Sequence, residues 1–248
     1  MKSYIKEYAT KGFFTVPNFF SSKITDEIKK AVKEISYHPD VKKYNDRSGA
    51  LRRIEYFTFK NHLFKKINEQ LKKFITDVTS KEQTLFKDKI NFKPPFGEGF
   101  YAHYDGVFQF KTANGIIKNG WYEYAEDFNN VLLALDDFTH ENGPLEIANA
   151  SQGNFETLIK NTKGDGTPDI KEEFAREIIF IPMHVSKGSL VVFKHSCPHR
   201  SSPNRSSSER GSLYLTYNNL VDGDFYEQYF LDKHQSTNAH KSLLGEQS

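Results

Sequence analysis

Sulfur is scarce in this chain: 248 residues include one cysteine, Cys197, and two methionines. A lone cysteine cannot close an internal disulfide, which fits a reducing cytoplasm. With no base predicted beside it, Cys197 reads as a small core filler rather than a nucleophile. Long apolar runs are also missing. Hydrophobic residues make up 37% of the chain, yet no stretch approaches transmembrane length. The opening Met1-Lys2-Ser3-Tyr4-Ile5-Lys6-Glu7 lacks the apolar centre of a secretion signal, so a cytoplasmic protein without a membrane partner is expected. Charge of one sign does not dominate either: 34 Lys and Arg stand against 32 Asp and Glu. No basic block is dense enough to suggest a nucleic-acid partner.

What is present is enough for one sizeable core, and a single domain over residues 1–248 is the expectation. Residues 1–82 read as a helical flank around one strand, Gly12-Phe13-Phe14-Thr15-Val16-Pro17. Ile24, Ile28, Ala31, Val32 and Ile35 recur at helical spacing behind Ser21 or Ser22 as cap, and Leu63, Ile67, Leu71 and Phe74 mark a second helix. Residues 37–50 are polar and turn-rich, so a loop is expected there. From 83 to 232 the texture changes to short β-like runs broken by Gly, Pro and Asn, as in an antiparallel double-sheet barrel with helices outside. Residues 106–130, with Gly115, Gly120 and the single tryptophan Trp121, show no clear period and suggest a lid.

The chemically suggestive stretch is Gly99-Phe100-Tyr101-Ala102-His103-Tyr104-Asp105-Gly106. Residues two apart on a strand share a face, so His103 and Asp105 would project together. An imidazole beside a carboxylate supplies two ligands of the two-His-one-carboxylate triad that binds non-haem Fe(II) with open positions. A second histidine is then required, and spacing alone leaves both His195 and His199 open. Upstream, Leu85 to Lys93 alternates, with Lys87, Lys89, Asn91 and Lys93 on one face and Phe86, Ile90 and Phe92 on the other. That polar face is either a solvated edge or the wall of a site that receives an anion.

Five ordered segments resemble the phytanoyl-CoA dioxygenase family of Fe(II)/2-oxoglutarate oxygenases. They are Leu85–Lys93, Gly99–Asp105, Ala134–Leu145, Gly188–Phe193 and the run His199-x-Ser201-x-x-Asn204-x-Ser206-x-x-x-Arg210. The resemblance spans essentially the whole chain and implies a mainly β fold with flanking helices, a double-stranded β-helix or cupin-like jelly roll. It implies iron held by His103, Asp105 and His199, with Arg210 on the distal carboxylate of 2-oxoglutarate. Ser201 and Asn91 would assist Arg210, and His195 becomes a neighbour of the site. A guanidinium suits that carboxylate because it can pair with it bidentately, which lysine cannot do.

The reaction implied consumes O2 and 2-oxoglutarate and releases succinate and CO2, with ascorbate stimulatory. Because Asp105 is retained where related halogenases carry a small residue, hydroxylation is expected rather than halogenation. The small-metabolite branch of the family, which includes aminoalkylphosphonate and ectoine hydroxylases, gives the nearest resemblance. Lys87, Lys89, Tyr101, Tyr104 and Trp121 are the candidate substrate contacts, the aromatics as a wall for an amine. A small-molecule substrate and a monomer or homodimer are expected. A non-catalytic jelly-roll binder, a zinc hydrolase, or an oxygenase acting on a natural-product intermediate or an acyl thioester remains open on sequence alone.

Overall fold

The computed structural model describes residues 2–46, 49–111 and 115–235. Residues 47 and 48 of the expected loop and 112–114 of the expected lid lie outside them. The chain opens with α1 (Lys2–Lys11), β1 (Phe13–Val16) and α2 (Ser22–Ile35), followed by β2 (Lys42–Asn45), β3 (Leu51–Glu55) and α3 (His62–Thr79). Next come β4 (Gln83–Lys93), β5 (Phe100–His103), the short pair β6 (Phe110–Lys111) and β7 (Ile117–Lys118), and β8 (Phe128–Ala134). β9 (Leu145–Ile147) precedes two short helices, α4 (Phe155–Leu158) and α5 (Glu172–Glu177). The rest is β10 (Ile181–Pro182), β11 (Leu190–Lys194), β12 (His199–Ser201), β13 (Arg210–Asn219) and α6 (Tyr226–Gln235).

The helices begin where the local chemistry allows. The Ser21 hydroxyl accepts from the Ile24 N–H at 3.4 Å, and the Asn61 side-chain Oδ1 accepts from the Leu63 N–H at 2.8 Å, each satisfying an otherwise unpaired helix donor. α2 buries Ile28, Ala31, Val32 and Ile35, and α3 buries Phe64, Ile67, Leu71, Phe74 and Ile75. α3 ends at Ser80, in the left-handed conformation at φ 56°.

Seven antiparallel strands form the larger sheet in the order β1-β11-β8-β13-β4-β3-β2, and four form the smaller in the order β10-β9-β12-β5. The alternation along β13 explains the layering: Leu213, Leu215 and Tyr217 join the helices and Phe86, Ile90, Val131 and Leu133 in the principal core. From the other face Tyr214, Leu132, Ala134, Val191 and Phe193 meet Leu145 and Ile147 of the smaller sheet in a second cluster. Two sheets closed over such a layer, with helices on the outside, make a double-stranded β-helix.

Several expectations change. Residues 1–82 are not only a helical flank, since β1, β2 and β3 all belong to the larger sheet. The segment expected as a loop holds β2, a polar edge strand whose only buried side chain is Tyr44 and whose pairing with β3 is tertiary rather than local. The apolar run Ile178-Ile179-Phe180-Ile181-Pro182 reads as a strand in the sequence, but only Ile181 and Pro182 are strand and Ile179 is 85% exposed. β4 is no edge: β13 and β3 flank it, so the lysine face turns inward and Lys87, Lys89 and Lys93 are buried.

Phe86 has no exposed surface and meets the rings of Trp121, Tyr124, Phe128 and Tyr229. Phe86→Ala should destabilise the protein by about 3–5 kcal/mol. Thermal melting should then show a midpoint on the order of 10 °C lower; a shift of only a degree or two would mean this cluster does not carry the fold.

Candidate active site

The pairing of β5 with β12 builds the centre of the site. His103 and His199 are direct cross-strand partners with ring centroids 4.1 Å apart. One step on, Ser201 pairs with Phe100, so β5 carries an extra residue in a bulge. The bulge explains why Phe100 and His103 both line one cavity while Tyr101 is 51% exposed, with Lys163 over its ring.

Asp105 is not in the strand, which ends at His103. Its backbone N–H donates to the His195 carbonyl at 3.2 Å. Its Oδ2 accepts from Asn130 Nδ2 at 3.0 Å, and the Thr216 hydroxyl donates to Asn130 Oδ1 at 2.7 Å. This relay from the larger sheet fixes the carboxylate. The Nδ1 atoms of His103 and His199 lie 2.7 and 3.0 Å from the carbonyls of Tyr101 and Cys197. As donors there, they leave each Nε2 as a lone-pair ligand.

Ligand atoms of His103, Asp105 and His199 lie within 4.8 Å of one another, a group able to hold a metal ion. Burial pushes His199 down to about 3, so its imidazole is neutral, as ligation requires. Burial opposes the charge on Asp105, yet the Lys89 ammonium, 4.0 Å from Oδ1, holds the carboxyl well below its ordinary range. Two imidazoles and a carboxylate are a donor set suited to Fe(II) with positions left open.

The cavity is lined further by Arg53, Lys89, Asn91, Leu145, Arg200, Ser201, Arg210 and Tyr214. The guanidinium of Arg210 is buried with its carbon 4.4 Å from the Phe138 ring, and its Nε and Nη1 have no hydrogen-bond partner among the described residues. Ser201 Oγ accepts from Lys93 Nζ at 2.8 Å. Lys93 also donates to the carbonyls of Gly143 and Ser202 at 3.0 and 2.5 Å, although burial and Arg210 press its pKa down to about 6. Gly143, at φ +64°, permits this close approach; a Cβ there would sit 2.1 Å from the Ser202 oxygen. Asn91 Oδ1 accepts from Arg53 Nε at 3.0 Å.

His195, the rival third ligand, is outside the metal group. Its Nε2 lies 2.7 Å from the Tyr122 hydroxyl, the Phe128 N–H donates to its Nδ1, and its carbonyl supports Asp105. Cys197 is buried, its thiol pushed up to about 12 by burial.

The expected aromatic wall does not line the cavity. Tyr104 packs in a separate cluster with Val107 and Phe155, its hydroxyl 3.0 Å from Ser151 Oγ. Trp121 belongs to the principal core, against Phe86 and Phe128. Lys87 points to Glu55, 3.6 Å away, and to the Trp121 ring. Lys87 sits on the central strand β4, whereas Tyr104 follows the end of β5 and Trp121 lies in a 3₁₀ turn, so strand alternation could not reveal where the last two pack. Sequence reasoning missed Phe100, Leu145, Arg200 and Tyr214 in the lining, and the Lys93 clamp; only the shared face of Lys89, Asn91 and Lys93 hinted at the last.

A jelly roll that turns such a donor set toward an unpaired buried guanidinium has the architecture of the non-haem Fe(II)/2-oxoglutarate-dependent dioxygenases, and this chain is an enzyme of that class. The family model for phytanoyl-CoA dioxygenase (PhyH) matches residues 8–212, and the chain belongs to that family. It is 29% identical to a methylphosphonate hydroxylase of Gimesia maris, over 94% of this chain and 86% of that protein. It is 25% identical to a 2-aminoethylphosphonate dioxygenase of an uncultured bacterium, over 92% and 86%. Among solved structures, EctD from S. alaskensis superposes with a TM-score of 0.70 at 15% identity, covering 90% of this chain and 78% of that one. That likeness is one of fold. No helix among the described residues is long and apolar enough to cross a membrane.

The depressed pKa of His199 sets a pH dependence. Below about pH 6.5 the unfolded chain takes up a proton there that the folded chain refuses until about pH 3, so stability falls as pH drops through that window. Metal-free protein should lose about 2 kcal/mol from this group between pH 7 and 5. In melts across that range His199→Gln should show a shallower decline; parallel curves would contradict the assignment.

Proposed function

We propose that this enzyme hydroxylates an unactivated C–H bond of a small polar or zwitterionic metabolite, with His103, Asp105 and His199 holding Fe(II) and Arg210, Ser201 and Asn91 receiving 2-oxoglutarate. The observation that carries the cosubstrate assignment is the pair of unpartnered nitrogens on buried Arg210. Polar groups kept from water without partners are costly, on the order of 1–3 kcal/mol each, and a carboxylate answers two guanidinium N–H groups at once. Because Lys93 donates to Ser201 Oγ, that hydroxyl keeps its own proton to donate to the same carboxylate.

Bound iron supplies the O2 chemistry that couples cosubstrate decarboxylation to C–H oxidation. The chain's residues do the positioning. Asn130 and the His195 carbonyl hold Asp105 in place, the carbonyls of Tyr101 and Cys197 aim the imidazoles, and the buried site keeps water from the oxidant. The retained Asp105 favours hydroxylation over halogenation.

The names of the relatives speak of methylphosphonate and 2-aminoethylphosphonate, small charged molecules. The lining supports that size and polarity, since Phe100 and Leu145 are too little apolar surface for an acyl-thioester channel. We read residues 1–248 as one domain of a cytoplasmic protein, a monomer or homodimer. Within the expected lid, Val107 and Trp121 are buried in hydrophobic clusters rather than over the cavity.

Succinate formation from 2-oxoglutarate with Fe(II), ascorbate and O2 tests the reading, against a panel of small zwitterions and phosphonates. One panel member should stimulate turnover, and His103→Ala and Arg210→Ala should each reduce it at least about a hundredfold. Iron-independent turnover, or none in the wild type, would sink the proposal.

A further inference from the structure

Two buried lysine positions lie on one face of β4. Lys93 pairs in register with Arg210, and Lys89 with Tyr214, so they stand about 13 Å apart along the strand. Arg210 and Lys93 form the end assigned above to the cosubstrate. The other end has received no ligand so far. There Lys89 Nζ lies 4.0 Å from Asp105 Oδ1 and 4.5 Å from the Tyr214 ring centroid, with its side chain only 10% exposed. Arg53 flanks it, held by Asn91 and lying 3.6 Å from Glu55.

Behind them Glu55 is completely buried and shared among Arg53, Lys87 and Lys233. Four cations therefore crowd this end against two carboxylates, Glu55 and Asp105, and Asp105 is committed to the metal. Asp88, between Lys87 and Lys89 in sequence, does not help: it faces the helices and accepts from the N–H groups of Tyr56, Phe57 and Thr58 and the Tyr226 hydroxyl. Buried like charges in excess call for a counter-charge. The cavity lining holds Arg53, Lys89, Arg200 and Arg210 and not one Asp or Glu.

We infer that Lys89 and Arg53 form the receptor for the substrate's head group, a doubly charged tetrahedral oxyanion of the phosphonate type, and that the preferred substrate carries no ammonium group. The inference rests on the cosubstrate lying at the Arg210 end. An ammonium in this cavity would find Lys89, Arg53 and Arg210 and no free carboxylate, Glu146 being paired with Arg200 at 2.9 Å, so an aminated substrate is penalised where its unaminated counterpart is not. With its head on Lys89, beside the ligating Asp105, a short alkyl chain places its carbon next to the metal group.

The enzyme loaded with Fe(II) and 2-oxoglutarate, kept free of O2, is titrated calorimetrically with ethylphosphonate and with 2-aminoethylphosphonate. Ethylphosphonate should bind at least about tenfold more tightly, Lys89→Met should weaken it at least about tenfold, and Lys89→Arg should recover most of that loss. Melting temperatures of the variants distinguish lost binding from lost fold, and the comparison of the two ligands on the wild type needs no variant. Equal or tighter binding of the aminated compound, no binding of either, or a smaller loss in a folded Lys89→Met overturns the inference. The weak visible band of iron-chelated 2-oxoglutarate tells the two readings apart. Its absence in the wild type removes the cosubstrate assignment itself, whereas its presence without discrimination between the phosphonates removes only the head-group receptor.

Discussion

The antiparallel register of β5 against β12 is the constraint on which the site depends. It sets His103 opposite His199, and the bulge beside them turns Phe100 inward and Tyr101 out. A slip of one residue would send one imidazole to the opposite face and leave no donor group. The partners of that register are backbone atoms, the carbonyls of Tyr101 and Cys197 that fix each imidazole. Metal-binding geometry here is therefore a property of sheet pairing before it is one of side chains.

The larger sheet supplies what the smaller cannot. Thr216 on β13 orients Asn130 on β8, which orients Asp105. On the same face of that sheet stand Arg210, Ser212 and Tyr214, paired with Lys93, Asn91 and Lys89 of β4. The space between the sheets is thus apolar around Leu132, Phe193 and Leu145 and densely charged around β4. A central strand with buried lysines is costly, and the Glu55 cluster and the clamp on Ser201 show how part of that cost is offset. The charge that remains without a counter-ion is what anionic ligands would meet.

Much of this was legible in the chain itself. Helical spacing marked α2, behind a serine cap, and α3, and alternation in Leu85–Lys93 separated Lys87, Lys89, Asn91 and Lys93 from Phe86, Ile90 and Phe92. β2 was not legible, because a polar edge strand has no period of its own and exists through its pairing with β3. Nor was the inward turn of Lys87, Lys89 and Lys93, since the same alternation describes a solvated edge and a buried charged wall.

The sequence by itself determined the kind of chemistry: His103 and Asp105 two apart, a later histidine, and an arginine spaced behind it, because residue type and spacing along the chain are local properties. Asp105 nevertheless lies just past the end of β5 and is held by Asn130 and the His195 carbonyl rather than by strand alternation. Which histidine comes together with His103 and Asp105, which aromatics stay in the core, and where the surplus charge gathers were decided only by the tertiary structure. These depend on strand order and register, which bring β4 between β13 and β3 and carry Trp121 and Tyr104 away from the cavity. No local pattern encodes which strand becomes a neighbour, since that choice is made by the burial of whole faces against one another.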